Sequence, residues 1–311
     1  MNYLITGEPC VDIIHKANGE TTHSYGGILY SVLSMAVLSS ENDSVTPIMN
    51  LGEDEYENII NILKKYPKIK IHGITKVKHP TRQVNLYYDM YNADKSARVE
   101  KSTEPTRTLN YLQCESYFHM ADAILINMIS GTDITIDTLK NIRKNYNGFI
   151  HIDIHNIVMN SKEDGSRVHA PVDNWFEWCT NADTVQMNEF EIATLSRDKL
   201  SEYKIAEQIL FNKNYLVKGL LVTRGKQGVT GFVKGEKAFG QEKFLDIDRC
   251  EIAAIENINF VDSTGCGDVF ASSFTLEYSK SKDFEKSIHY ANRKASLNTS
   301  LDGIEELNKL K

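Results

Sequence analysis

The stretch Asp262-Ser263-Thr264-Gly265-Cys266-Gly267-Asp268 decides how this chain is read. Upstream stands the β-rich run Ile258 to Val261; downstream, Phe270, Phe274 and Tyr278 recur at helical spacing. A strand, a glycine-rich turn and a helix in that order leave free N–H groups at a helix N-terminus. Together with the helix dipole they favour an anion. Asp268 is the odd element. A turn built only to hold an anion would not place a carboxylate beside it, because like charges repel. An acid there makes chemical sense if a hydroxyl attacks a bound phosphate and must lose its proton. The plain alternative is an Asp that decorates the first turn of a helix.

Outward from this turn the chain alternates in rhythm. Short β-rich runs occur at Tyr3 to Thr6, Val45 to Met49, Ala123 to Ile126, Phe149 to Ile154, Thr184 to Met187 and Gly219 to Thr223. Between them, Ile28 to Leu38, Tyr56 to Leu63, Ile134 to Tyr146 and Ile205 to Phe211 carry helical spacing. Phe284, Ile288, Ala291 and Ala295 mark a last helix. Strands alternating with helices predict an α/β fold with a mostly parallel central sheet. No linker composition or repeat interrupts the 311 residues, so residues 1–311 are expected to form one large domain. Two segments break the rhythm. Val84 to Met90 and Ala97 to Lys101 read as a hairpin around Asn92-Ala93-Asp94-Lys95, and Cys10 to Tyr25 reads as extended with a turn at Asn18-Gly19. Segments 10–25 and 84–101 are expected to pair into a small β-sheet lid that excludes water from a site.

Three further patterns lie near strand ends or glycines. Asn188-Glu189-Phe190-Glu191 follows the run Thr184 to Met187, and its first and last residues share a helix face. Their hard oxygens suit Mg²⁺; the same spacing also fits a helix capping box. Thr223-Arg224-Gly225 offers a hydroxyl and exposed backbone to a nucleotide, or is simply a hairpin turn. Gly225-Lys226 does not make a Walker phosphate loop, because Gln227 stands where Ser or Thr is required. Gly26-Gly27 precedes a helix and allows close approach of a ligand, with Asp12 upstream to accept bonds from hydroxyls.

Composition narrows the partners. A net charge of −7 repels a phosphate backbone, and no Lys/Arg stripe offsets it, so nucleic acid is not an expected partner. The five cysteines include no CxxC pair, which argues against a zinc or disulfide framework and fits a reducing compartment. No apolar run approaches a membrane span, and Met1 to Glu8 lacks the pattern of a signal peptide. A cytoplasmic protein is expected.

Taken together, these residues resemble the ribokinase-like (PfkB) carbohydrate kinase family along essentially the whole chain. Gly26-Gly27 resembles its double-glycine signature, Gly52-Glu53-Asp54 its G-x-D element, and Asn188 with Glu191 its N-x-x-E motif. Thr223-Arg224-Gly225 resembles its T-x-G element, Asp262 to Asp268 its D-T-x-G-x-G-D signature, and Asp302-Gly303-Ile304 its tail. The resemblance implies an αβα layered fold and transfer of the γ-phosphate of ATP to a hydroxyl of a sugar or sugar-like substrate. It implies Asp268 as base and the N–H groups of Gly265, Cys266 and Gly267 as anion hole. Thr223, Gly225, Thr264 and Asn292 would hold nucleotide; Asp12, Gly26 and Gly27 would hold substrate hydroxyls. Asn188 and Glu191 would organise Mg²⁺ through water, and Asp262 with Thr264 a monovalent cation such as K⁺. Lids in this family often pair across a homodimer.

The chain departs from ribokinases in two places. Ser31 replaces an Asn after the double glycine, and Asn127-Met128-Ile129 stands where ribokinases carry a substrate-binding Glu, which makes Asn127 the candidate contact there. Two other readings remain: a nucleoside kinase on the same scaffold, and a catalytically silent sugar- or nucleotide-binding protein. A dinucleotide oxidoreductase would want G-x-G-x-x-G after the first strand, where Gly7-Glu8-Pro9-Cys10 stands instead.

Overall fold

The computed structural model describes residues 1–15, 19–88, 98–239, 242–256 and 259–311. The expected Asn92–Lys95 turn, Asn18 and Ile258 lie outside these residues.

Among the described residues nine strands form the central sheet, in the order Glu242–Ile252, Val229–Phe239, Gly219–Thr223, Thr184–Asn188, Phe149–Asp153, Ala123–Asn127, Asn2–Thr6, Ser44–Gly52, Ile74–Val77. From Gly219–Thr223 to Ile74–Val77 every pairing is parallel; the first two strands attach antiparallel. The inner strands bury both faces, as parallel strands between helices must. Tyr3 and Ile5 point into one apolar cluster with the helices Ile28–Leu38 and Cys266–Ser281, while Leu4 points into the other with the helix Ile136–Asn145. The layering is αβα, as expected.

The two irregular segments do pair. They build a four-stranded sheet in the order Thr21–Gly27, Pro9–His15, Arg82–Tyr88, Arg98–Ser102. Its own apolar cluster is small: Cys10, Val84 and Leu86, with Ile14 alongside. A third piece was not anticipated. The short hairpin Met159–Ser161/Arg167–His169 meets the Arg98–Ser102 edge through a Lys101–Ser166 bridge, and Arg167 pairs with Glu100 at 3.3 Å.

One expected strand does not appear among the described residues. Residues 259–261 of the run Ile258 to Val261 form turn and coil, with Phe260 and Val261 about half exposed. Among the described residues no strand pairs with them; the N–H groups of Val261 and Asp262 both donate to the Thr299 carbonyl, just beyond the helix Phe284–Asn298. Among the described residues, no strand leads into the glycine-rich turn, and the last strand before it is Glu242–Ile252 of the edge hairpin Val229–Phe239/Glu242–Ile252. That hairpin escaped the sequence reading because its residues 234–249 are crowded with Lys, Glu, Asp and Arg, the usual dress of an exposed edge.

Candidate active site

The glycine-rich turn opens the helix Cys266–Ser281. Gly265 caps it at φ 75, a left-handed conformation that L side chains rarely adopt, and a Cβ there would stand 2.2 Å from the Tyr30 ring. Among the described residues the N–H groups of Gly265 and Gly267 have no acceptor within the chain; that of Cys266 donates to the Ser263 carbonyl at 3.2 Å. The Cys266 sulfur faces the Ala295 carbonyl and the Asn298 amide, and burial pushes its thiol up to about 11. These contacts pack the turn, and the raised pKa disfavours the thiolate. Asn298, which no motif singled out, ties the Thr264 carbonyl at 2.9 Å.

Asp268 is buried beneath this turn, 7% exposed. Asn127 donates to its Oδ1 at 2.6 Å and to Ser31 Oγ at 3.2 Å, while Ser31 donates to the Asp268 carbonyl at 3.1 Å. Burial pushes the Asp268 carboxyl up to about 7; the Asn127 bond pulls it down, and the charge of Asp12 pushes it further up. The departures at Ser31 and Asn127 thus meet at one carboxylate. Asn127 is fully buried behind Asp268 and does not line the cavity.

That cavity, about 240 Å³, runs from the turn to the small sheet. Thr264, Gly265, Asp268, Asn188 and Glu191 line one side. Asp12, Gly27, Tyr30, Arg82 and Glu100 line another, and His155, Asn156, Met159 and His169 close the far end. Gly26 is small for a reason: a Cβ would lie 2.0 Å from Asp12 Oδ2. Gly27, at φ 62, caps the helix Ile28–Leu38. His155, Asn156, Met159 and His169 come from the unanticipated hairpin and the turn before it, so sequence motifs gave no signal for this end.

Asn188 and Glu191 realise the capping box in full. Asn188 Oδ1 accepts from Phe190 and Glu191, both at 2.9 Å, and the Glu191 oxygens accept from the Asn188 backbone and amide, both at 2.6 Å. Capping and cavity lining coexist here. Burial pushes Glu191 up to about 8, the Asn188 N–H lowers it, and the charge of Asp268 adds to the rise. Asp153, at the end of the next strand, is also pushed up, by burial and then by Glu191 and Asp268. The charge of Asp268 thus raises both Glu191 and Asp153, and a cation nearby would relieve it. Among the described residues, however, no three His, Cys, Asp or Glu side chains converge as metal ligands. The residues fit a hard divalent ion held chiefly by phosphate oxygens and water.

Thr223, Gly225 and Asn292 do not line the cavity. Thr223 ends a central strand, Gly225 at φ 51 has open space where a Cβ would be, and Asn292 donates to the Ala253 carbonyl at 2.8 Å. Asp262 accepts the Ser263 N–H at 2.7 Å.

Comparison with known proteins bears on the family and the fold. The family model for pfkB family carbohydrate kinases matches residues 90–308. A ribokinase of Arabidopsis thaliana is 27% identical over 141 residues, which is 45% of this chain and only 34% of that relative's length. A solved Arabidopsis thaliana ribokinase, complexed with ribose and ATP, superposes with TM-score 0.70 at 18% identity, covering 99% of this chain and 97% of that one. A pyrophosphate-dependent kinase of the ribokinase family gives TM-score 0.73 at 16% identity over 97% and 96% of the two chains. A nucleoside kinase of Burkholderia thailandensis, in complex with inosine, gives 0.73 at 13% identity over 99% and 94%. At these identities the structures share the fold.

Proposed function

This chain belongs to the pfkB family of carbohydrate kinases, and from that premise we propose that it transfers the γ-phosphate of ATP to a hydroxyl of a small sugar-like acceptor. The observation that carries the reading is Asp268: a buried carboxylate with a pKa near neutrality, under a turn with two unengaged N–H groups, facing a polar cavity. The acceptor lies against Asp12 with its reacting hydroxyl on Asp268. The hydroxyl oxygen bonds to the γ-phosphorus as the bond to the β,γ-bridging oxygen breaks. Asp268 takes the proton, ADP leaves with the bridging electron pair, and the N–H groups of Gly265 and Gly267 hold the charge on the moving group. The nucleotide lies along Thr223, Gly225 and Asn292. Asn188 and Glu191 would hold Mg²⁺, through water, and the ion would supply neutralisation of phosphate charge; Asp262 and Thr264 are the candidates for a monovalent cation. The four-stranded sheet acts as a lid that excludes water. The decisive experiment is a phosphorylation screen with ATP and Mg²⁺ over sugars, sugar acids, polyols and nucleosides. No transfer and no ATP binding would end the kinase reading.

Asp268 acts as base only when ionised, so kcat is expected to rise with pH through about 7. Asn127 stabilises the ionised form. Asn127→Leu is therefore expected to move the midpoint upward by about one pH unit, equivalent to one charge-assisted hydrogen bond of ~1.4 kcal/mol. A pH–kcat profile checks this, and an unmoved or lowered midpoint contradicts it.

Glu191→Gln is expected to do two things. It raises the Mg²⁺ concentration needed for half-maximal rate. It also costs about 1 kcal/mol of stability, because an amide cannot accept from both Asn188 donors. Magnesium titration with thermal melting checks both. A stability loss with unchanged Mg²⁺ demand would leave Glu191 a cap alone.

A further inference from the structure

We propose that a buried polar ladder, Thr184–His151–Gln186–Asp153, positions the turn that carries Asp268, so that Gln186 governs turnover without touching substrate. This rests on the kinase reading above.

The ladder is built by register. On the adjacent parallel strands Thr184 pairs with His151 and Gln186 with Asp153, so all four side chains share one face. That face looks onto the helix Cys266–Ser281: the His151 ring lies 5.1 Å from that of Phe274. All four residues are essentially buried. The Gln186 amide nitrogen donates to Asp153 Oδ2 at 3.0 Å and to the Gly267 carbonyl at 3.1 Å. The Gly267 carbonyl has no proton to give, so the orientation of the amide is determined, and its oxygen must accept. The donor to it is His151 Nε2 at 3.4 Å, which leaves His151 Nδ1 to accept from the Thr184 hydroxyl at 2.8 Å. The hydrogen bonds therefore run one way, from Thr184 toward Asp153 and Gly267. Burial lowers the His151 pKa to about 4, which keeps the ring neutral with one N–H, as this direction needs.

A chain of polar groups inside an apolar layer is costly unless fully satisfied, and apolar residues would fill the space more cheaply. Its endpoint explains its presence. The Gly267 carbonyl belongs to the peptide that leads into Asp268, so fixing that carbonyl fixes the backbone from which the base projects. Asp153 anchors the other end and accepts the His155 N–H, holding His155, at φ 42, where it lines the acceptor cavity. A base displaced by even 1 Å can lose about 10²-fold in rate.

The test is Gln186→Met, which keeps length and removes both donors, made in the native and in the Asp268→Asn background. The expected result is a kcat about 10–100-fold lower in the native background, with both KM values within about twofold. In the Asp268→Asn background no further loss is expected, because Gln186 acts through Asp268. Equal fractional loss in both backgrounds, a loss carried by KM, or a native-background kcat near wild type overturns the proposal. If Gln186→Met does not fold, Thr184→Val replaces it, and a kcat loss below about threefold overturns the proposal. If the wild-type protein turns over no acceptor, the kinase reading falls by itself, and amide exchange at Gly265–Asp268 judges the ladder. Exchange about tenfold faster in the variant supports it; an unchanged rate overturns it.

Discussion

Asp268→Asn is expected to lower kcat by about 10²–10⁴-fold while leaving ATP affinity nearly unchanged. An acceptor hydroxyl has a pKa far above neutrality and needs a base as it attacks; at 1.36 kcal/mol per decade, such help is worth roughly 3–5 kcal/mol. The asparagine retains an oxygen to accept the Asn127 bond, so the local geometry survives. Nucleotide affinity is set elsewhere, by backbone N–H groups that the change does not alter. Stability separates this reading from that of a mere helix-end decoration. The carboxyl's pKa rises from 3.8 unfolded to about 7 folded, so the folded state binds the proton more tightly. Its ionisation therefore erodes stability as pH rises from about 4 through about 7. The neutral amide removes that cost, and the variant is expected to melt no lower than wild type at pH 8. A decorating Asp would instead lose about 1 kcal/mol on replacement and keep near-normal turnover. Steady-state kinetics, calorimetry with ATP and melting curves at pH 8 check all three expectations. Turnover within a few-fold of wild type would falsify the base assignment.

Gly265→Ala is expected to cut kcat by about 10²–10³-fold and, unlike the Asp268 change, to weaken nucleotide binding as well. Two costs meet at this residue. A left-handed φ of 75 disfavours any L side chain by roughly 1–2 kcal/mol. The new Cβ would also lie 2.2–2.5 Å from three atoms of the Tyr30 ring, which is itself 4% exposed in the core and cannot retreat. The turn must move instead, and the N–H groups of Gly265 and Gly267 lose their common aim. A stability loss of about 2–3 kcal/mol should accompany the kinetic one. Comparing kcat and the nucleotide dissociation constant with those of Asp268→Asn checks this. Unchanged nucleotide affinity would mean that the turn does not hold phosphate.

Much was legible in the chain alone, where the signal is local. The run Ala123 to Ile126 buries alternate residues on two faces, and Ile28 to Leu38 and Tyr56 to Leu63 appear as helices with those bounds. Period and propensity suffice for such elements. The turn 262–268 declared itself because glycine and acid at a helix start are chemically unusual together. The structure overruled the sequence where an element depends on a neighbour. Ile258 to Val261 has strand composition but no strand beside residues 259–261, so their backbone bonds went to Thr299. The edge hairpin 229–252 has charged composition but a neighbour to pair with.

The site divides in the same way. Sequence by itself singled out the candidates that the structure brings to one cavity: Asp268, the glycine-rich turn before it, Asp12 beside Gly26-Gly27, and Asn188 with Glu191. Only the tertiary structure decided how they are tuned. Asn127 stands behind Asp268 because its strand ends opposite the helix Cys266–Ser281, 141 positions away in the chain. Gln186 reaches Gly267 across 81 positions. The far wall of the cavity is made by His155, Asn156, Met159 and His169, which share no motif and meet only through the docking of a short hairpin. Motifs record what a residue can do, and that is a property of the side chain. A shifted pKa, a positioned peptide or a closed cavity depends on desolvation and contact, and these exist only once distant segments have been packed together.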